Sequence, residues 1–360
     1  MSSDIPAGDA PAFDAFLALS RAIGSDILKT QGAGGNTSFK RDGVMWVKAS
    51  GTWLAQAGER DIMVPVRIAP LVEALRSGNQ SAEKATDFIV EELNTSGLRP
   101  SIETSFHAVL PQTVIAHYHC VEAIALSVLE DRERVIGERM AALPDLAYVT
   151  IPYRRPGTPL AHEIDRVAAN RPDVLILFNH GIIVTGDTVE EVWERVARVT
   201  AALRAKERPS AQIDMAHLEK LAGGSDFHAA LDAGSHNTAL RPASVAIATA
   251  GSLYPDHIIF LGTEIGLLAD GETAAAFAAQ RRLRGLAVPK MLLAPGHGVL
   301  LSNELTDGGR VMARCLAEVV SRIPEGAPVV YLDSQQEHEL THWEAEQYRQ
   351  VLDRKASRQS

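Results

Sequence analysis

The tripeptide His117-Tyr118-His119 places two imidazoles at positions i and i+2. The residues before it, Val114, Ile115 and Ala116, are apolar, which predicts a buried strand over 114–119. Side chains two apart on a strand project from one face, so the two rings stand close enough to chelate one ion. Burying two imidazoles without partners is costly, and a metal would supply one. The competing reading is a pair of core histidines hydrogen-bonded to their neighbours. His180 counts against it: this residue follows a second apolar strand, 174–178, in the turn Asn179-His180-Gly181. Three imidazoles with one position open make a catalytic rather than a closed structural metal site. Cys120 is the rival ligand, but alternation points it away from His119 and into the core.

Other residues could serve such a centre. Glu103 and His107 are spaced i, i+4 on a predicted helix over 101–109 and share a face. A carboxylate there can act as general acid and base, and the alternative is an ordinary solvent-facing pair. The turn Gly32-Ala33-Gly34-Gly35-Asn36 offers backbone N–H groups to an anion. It fits neither the dinucleotide fingerprint nor the Walker loop, so no nicotinamide or nucleotide cofactor is expected. Lys48-Ala49-Ser50-Gly51 adds a cation, a hydroxyl and an open glycine.

Periodicity supplies the elements that must position these groups. A helix is predicted over 11–29, with Phe13, Phe16, Leu17, Ile23 and Ile27 near helical spacing. Strands follow over 36–40 and 44–48, joined by an Asp42-Gly43 turn. A helix is expected over 121–129 and a strand over 182–185. Gly186-Asp187-Thr188 caps an amphipathic helix with Val189, Val192, Trp193, Val196, Val199 and Leu203 as its apolar stripe. The polar stretch 205–210 marks a boundary, giving domains 1–210 and 211–360. Residues 291–303 (MLLAPGHGVLLSN) echo residues 175–185 (LILFNHGIIVT) as strand, His-Gly turn and strand. His257 and His297 are read as structural. Glu337, Glu339, Glu344 and Glu346 belong to a predicted solvated helix.

Composition narrows the function classes. A formal charge of −10 argues against nucleic acid as the main partner, because a phosphate backbone needs a basic footprint. Two cysteines, Cys120 and Cys315, fit a reducing compartment rather than a disulfide framework. No apolar run of about 18 residues exists, so no membrane span is expected. Residues 1–10 are polar and do not read as a secretory signal. A cytoplasmic protein is expected.

Taken in order, the segments Gly35-Asn36-Thr37-Ser38, Lys48-Ala49-Ser50-Gly51-Thr52, Ser101 to His107, His117-Tyr118-His119 and Asn179-His180-Gly181 resemble the class II aldolase/adducin family over about residues 10–208. The resemblance implies α-β-α layers around a central mixed sheet, with a smaller C-terminal α/β domain and a homotetrameric assembly. It implies a zinc ion on His117, His119 and His180, with manganese, cobalt or iron as substitutes. Glu103 becomes the catalytic acid and base. Gly35, Asn36, Ser50, Gly51 and Ser101 become substrate-binding, and Lys48 is added as a cation. The implied activity is reversible retro-aldol cleavage of a small hydroxyketone, sugar or sugar phosphate through a metal-stabilised enediolate. The same scaffold also serves epimerases, dehydratases and decarboxylases, and a non-catalytic adducin-like domain is the remaining alternative. Ile102 stands where fuculose-phosphate-cleaving members carry a second phosphate-binding serine, which leaves the anionic group open. Tyr148 and Tyr153 lie in the general region where such members carry a tyrosine reaching a neighbouring subunit, and neither is matched to it. Residues 215–350 are similar to the extra segment of long proteins that join an aldolase half to a dehydrogenase half.

Overall fold

A computed structural model describes residues 10–342 together with Arg354. The chain divides into two compact units. One comprises the residues up to Ala123 and Glu133–Arg204; the other comprises Ile124–Arg132 and the residues from Ala205 onward.

The first unit is built on strands β1 (Asn36–Arg41), β2 (Val44–Lys48), β3 (Met63–Arg67), β4 (Val114–Tyr118), β5 (Tyr148–Ile151), β6 (Val174–Leu177) and β7 (Gly181–Gly186). They form one sheet in the order β3-β2-β1-β4-β7-β6-β5. Only the β5–β6 pair is parallel, so the sheet is mixed. Its helices are α1 (Ala10–Gly24), α2 (Ile68–Arg76), α3 (Thr104–Val109), α5 (Arg132–Met140), α6 (Thr158–Ala168) and α7 (Val189–Ala202), while α4 (Val121–Ser127) starts in this unit and runs into the second from Ile124. Alternation along β1 and β4 sorts them into two layers. Thr37 and Phe39 face α1, where Ser20 and Thr37 share a 2.7 Å hydroxyl contact and Phe16 lies 5.7 Å from Phe39. Tyr118 reaches Thr200 of α7 on that side. On the opposite face Ile115, Leu175, Leu177 and Ile183 pack with Phe106 of α3 and with Leu160 and Ile164 of α6. The result is helices on both faces of a central sheet.

The second unit contains β8 (Phe227–Ala229), β9 (Gly266–Leu267), β10 (Met291–Ala294) and β11 (Gly298–Ser302), ordered β8-β11-β10-β9. Helices α8 (Met215–Ala222), α9 (Pro242–Ala250), α10 (Ala274–Leu283), α11 (Asp307–Arg322) and α12 (Ser334–Thr341) accompany it. Leu218, Leu221, Leu292 and Leu300 share one core there. No helix among the described residues is long and apolar enough to cross a membrane.

Several predicted boundaries move. Helix α1 stops at Gly24 rather than at 29: the Asp26 N–H turns back to the Ile23 carbonyl, and the Asp26 carboxylate accepts the Leu28 N–H at 2.9 Å. Helix α3 begins at Thr104 rather than 101: the Ser101 hydroxyl accepts the Glu103 N–H and the Ser101 carbonyl accepts the Thr104 N–H. Helix α4 ends at Ser127 rather than 129, and β4 ends at Tyr118, one residue before His119. Trp193, placed on the buried stripe of α7, is 46% exposed. The acidic C-terminal helix is α12, which carries Glu337 and Glu339; Glu344 and Glu346 lie outside the described residues.

Candidate active site

Register brings the candidate residues together. Asn36 of β1 pairs directly with His117 of β4, so their side chains leave the sheet on the same face. His119 follows β4 on that face, and its ring centroid lies 5.1 Å from that of His117. His180 arrives from the turn between β6 and β7, 4.9 Å from His117 and 5.2 Å from His119. Two glycines permit this convergence. A Cβ on Gly35 would come within 2.8 Å of the His117 carbonyl oxygen, and Gly35 also holds φ +60°. A Cβ on Gly181 would come within 2.6 Å of the Tyr118 carbonyl oxygen. The backbone can therefore close on both sides of the histidine strand only without these side chains.

Glu103 stands over the triangle. Its Oε2 lies 3.4 Å from His117 Nε2, and its Oε1 lies 3.4 Å from His180 Nε2. All four residues are at most 5% exposed. The Asn36 amide donates to Glu103 Oε2 at 2.8 Å and to the Ser101 hydroxyl at 3.0 Å. His107, fully buried, contacts the Asn36 carbonyl oxygen through Nε2 and the Ser38 hydroxyl through Nδ1 at 2.8 Å. Burial, then the neighbouring His117 and Lys40, push the His107 pKa well below the ordinary histidine value.

The remaining candidates form the rim. Lys48 is buried and donates to the carbonyls of Ala33 at 2.8 Å and Thr52 at 2.7 Å, bracing the glycine turn against the Ser50-Gly51 loop. That loop runs beside Ser101: Ser50 N–H donates to the Arg99 carbonyl and Ser101 N–H to the Lys48 carbonyl. Cys120 is fully buried, its thiol pushed up to about 11 by burial, and it is absent from the histidine cluster. Tyr148 is 37% exposed. The partnership of His107 with Asn36 escapes sequence reasoning. The i, i+4 spacing from Glu103 flags His107, but only the β1 register shows what it touches.

The residues fit a metal ion. His117 Nδ1–H donates to the Ile182 carbonyl at 3.0 Å, which makes Nε2 the lone-pair atom of the neutral ring. That lone pair and the Glu103 carboxylate face each other in a buried site, and two electron-rich groups so placed call for a cation. One ligand atom from each of His117, His119 and His180 lies within 4.8 Å of the other two. Three imidazoles are a transition-metal donor set.

A mixed sheet between helix layers, with a histidine triangle under a carboxylate, defines a class shared with known proteins. Residues 15–206 match the class II aldolase and adducin N-terminal domain, just over half of the chain, and the protein belongs to that family. It is 29% identical over 163 residues to an L-fuculose phosphate aldolase from Methanococcus vannielii, covering 45% of this chain and 77% of that protein. It is 28% identical over 196 residues to the uncharacterized oxidoreductase YuxG of Bacillus subtilis, covering 50% of this chain and 27% of that one. The chain thus spans about a quarter of the Bacillus protein. Among solved structures, the N-terminal class II aldolase domain of a conserved Thermoplasma acidophilum protein aligns with a TM-score of 0.46 at 25% identity, covering 56% of this chain and 94% of that one.

Proposed function

We propose that this protein is a divalent-metal-dependent aldolase, a lyase that reversibly cleaves a carbon–carbon bond in a small hydroxyketone, sugar or sugar phosphate. The observation that carries this is the buried convergence of three imidazoles and one carboxylate in a class II aldolase family chain. His117, His119 and His180 would hold the ion; zinc suits them, and manganese, cobalt or iron are accepted substitutes. Bound there, the ion supplies Lewis-acid polarisation of the substrate carbonyl. Glu103 gives a proton to the carbon freed by cleavage and removes it in the synthetic direction, while a second group takes the proton of the substrate hydroxyl that becomes the aldehyde oxygen and returns it in synthesis. Asn36 holds Oε2, and among the described residues Oε1 accepts no hydrogen bond, so Oε1 is the oxygen we assign to the proton transfer. Gly35, Asn36, Ser50, Gly51 and Ser101 bind the substrate's anionic or hydroxyl end, and Lys48 shapes the same rim. The low exposure of Glu103 and the histidines keeps water from the reacting carbon.

Residues 1–210 act as the catalytic domain and 211–360 as an extension. A cytoplasmic homotetramer, which the family resemblance implies, is part of the same proposal.

The test is elemental analysis of tag-free protein, with His117→Ala beside it, followed by a screen of hydroxyketones and sugar phosphates. The wild-type protein should carry a transition-metal equivalent that the variant loses, and substrate should yield two carbonyl fragments. Metal content unchanged by His117→Ala would sink the assignment. Carbon dioxide or a mass-neutral isomer as product would replace aldol cleavage with decarboxylation or epimerisation.

A further inference from the structure

The second unit repeats the local pattern that presents His180. Strand β6, a turn with His180, β7 and α7 have counterparts in β10, a turn with His297, β11 and α11. In both, the histidine precedes the glycine that opens the second strand, Gly181 or Gly298. The first turn delivers its histidine to two others. The second delivers His297 to Asp214 and His217, at the start of α8. We propose that Asp214, His217 and His297 form a separate divalent transition-metal site, of which zinc is the natural occupant.

The arrangement is held by the backbone. Asp214 N–H donates to the His297 carbonyl at 3.2 Å. Asp214 Oδ1 accepts the His217 N–H at 3.0 Å, capping α8. The second carboxylate oxygen is thereby turned toward His297 Nδ1, 3.6 Å away and beyond hydrogen-bond length. The two imidazoles lie 4.0 Å apart, centroid to centroid. One ligand atom from each residue lies within 4.8 Å of the other two. A tetrahedral zinc with bonds of about 2.0–2.1 Å separates its ligands by ~3.4 Å, so small side-chain rotations close the set.

The turn is closely packed against His236. Gly298 holds φ +146°, and a Cβ there would come within 2.5 Å of His236 Nδ1. That same nitrogen accepts the Val299 N–H at 3.0 Å, while His236 Nε2 donates to the Ala230 carbonyl at 2.9 Å. His236 therefore anchors the turn, leaving His297 to present its ring outward. Two imidazoles and one carboxylate select a transition ion, because calcium and magnesium require more oxygen ligands. Partial exposure leaves room for water to complete the coordination. An ion here ties the start of α8 to the β10–β11 turn.

The experiment uses tag-free, full-length protein carrying His117→Ala and His119→Ala, stripped with chelator. It is titrated with zinc in a calorimeter and with cobalt while visible absorption is recorded. One zinc equivalent should bind, raise the Tm and produce cobalt ligand-field bands. Adding His297→Ala or Asp214→Asn should weaken binding by roughly tenfold or more, with circular dichroism unchanged. Asparagine retains the helix-capping oxygen, so Asp214→Asn keeps the fold while removing the charge. Zinc binding that neither change weakens, or no binding by a folded protein, overturns the proposal.

Discussion

Asn36 sets the polarity of the buried network around Glu103. An ionised carboxylate can only accept, so the Asn36 amide nitrogen must face Glu103 and its oxygen must face His107. His107 then donates from Nε2 and accepts the Ser38 hydroxyl proton at Nδ1, the neutral tautomer that its lowered pKa favours. His107 thus holds Asn36, and Asn36 holds Glu103. This chain of bonds separates structure from chemistry at one atom pair. In Glu103→Gln the side-chain oxygen can still accept from Asn36, so fold and metal content should survive. Proton transfer should not, and turnover should fall by about 10²–10⁴-fold. Single-turnover product formation measured beside metal content checks this. Near-normal turnover in the variant would remove Glu103 from the reaction.

At the scale of elements, what depends on local alternation was readable in the sequence, and what depends on distant backbone was not. The period of two in β1 and β4 places Asn36, Ser38 and His117 on one face and Thr37, Phe39 and Tyr118 on the other. The threonine cap and apolar stripe of α7 are equally local: Thr188 and Glu191 form a reciprocal capping box. The close packing that requires glycine at position 24 comes from residues 54 and 55, thirty positions away, and no window around Gly24 contains that information. The exposed Trp193 shows the same limit, since helical spacing marks the edge of a stripe as well as its centre. Gly181 joins the two kinds of information, being visible as a turn glycine yet required by contact with β4. Gly181→Ala should force β7 from the Tyr118 carbonyl, cost about 1–3 kcal/mol in urea denaturation, and weaken metal binding by displacing His180. An unchanged midpoint and unchanged affinity would show that the hairpin yields without strain.

At the scale of the whole molecule, acid stability couples burial to charge. His257 is 1% exposed, its Nδ1 accepts the Leu253 N–H at 3.3 Å, and burial lowers its pKa to about 4. In the unfolded chain it titrates near 6.5. Between those values the unfolded state takes up a proton that the folded state refuses, so stability falls as the pH drops from about 6.5 to 4. Above that window the residue contributes no slope. The full difference amounts to about 3 kcal/mol, of which roughly 2 kcal/mol should appear between pH 7 and pH 5. The protein's charge of −10 acts in the opposite direction, because protonating surface carboxylates relieves repulsion. A single pH series would mix the two effects; a comparison of variants separates them. His257→Asn retains an acceptor for the Leu253 N–H and leaves the surface charge unchanged. It should be less stable than the parent at pH 7, yet lose roughly 2 kcal/mol less on acidification to pH 5. Urea midpoints followed by circular dichroism at the two pH values provide the measurement. Parallel losses in both proteins would mean that His257 takes up its proton without unfolding, and that the acid sensitivity arises elsewhere.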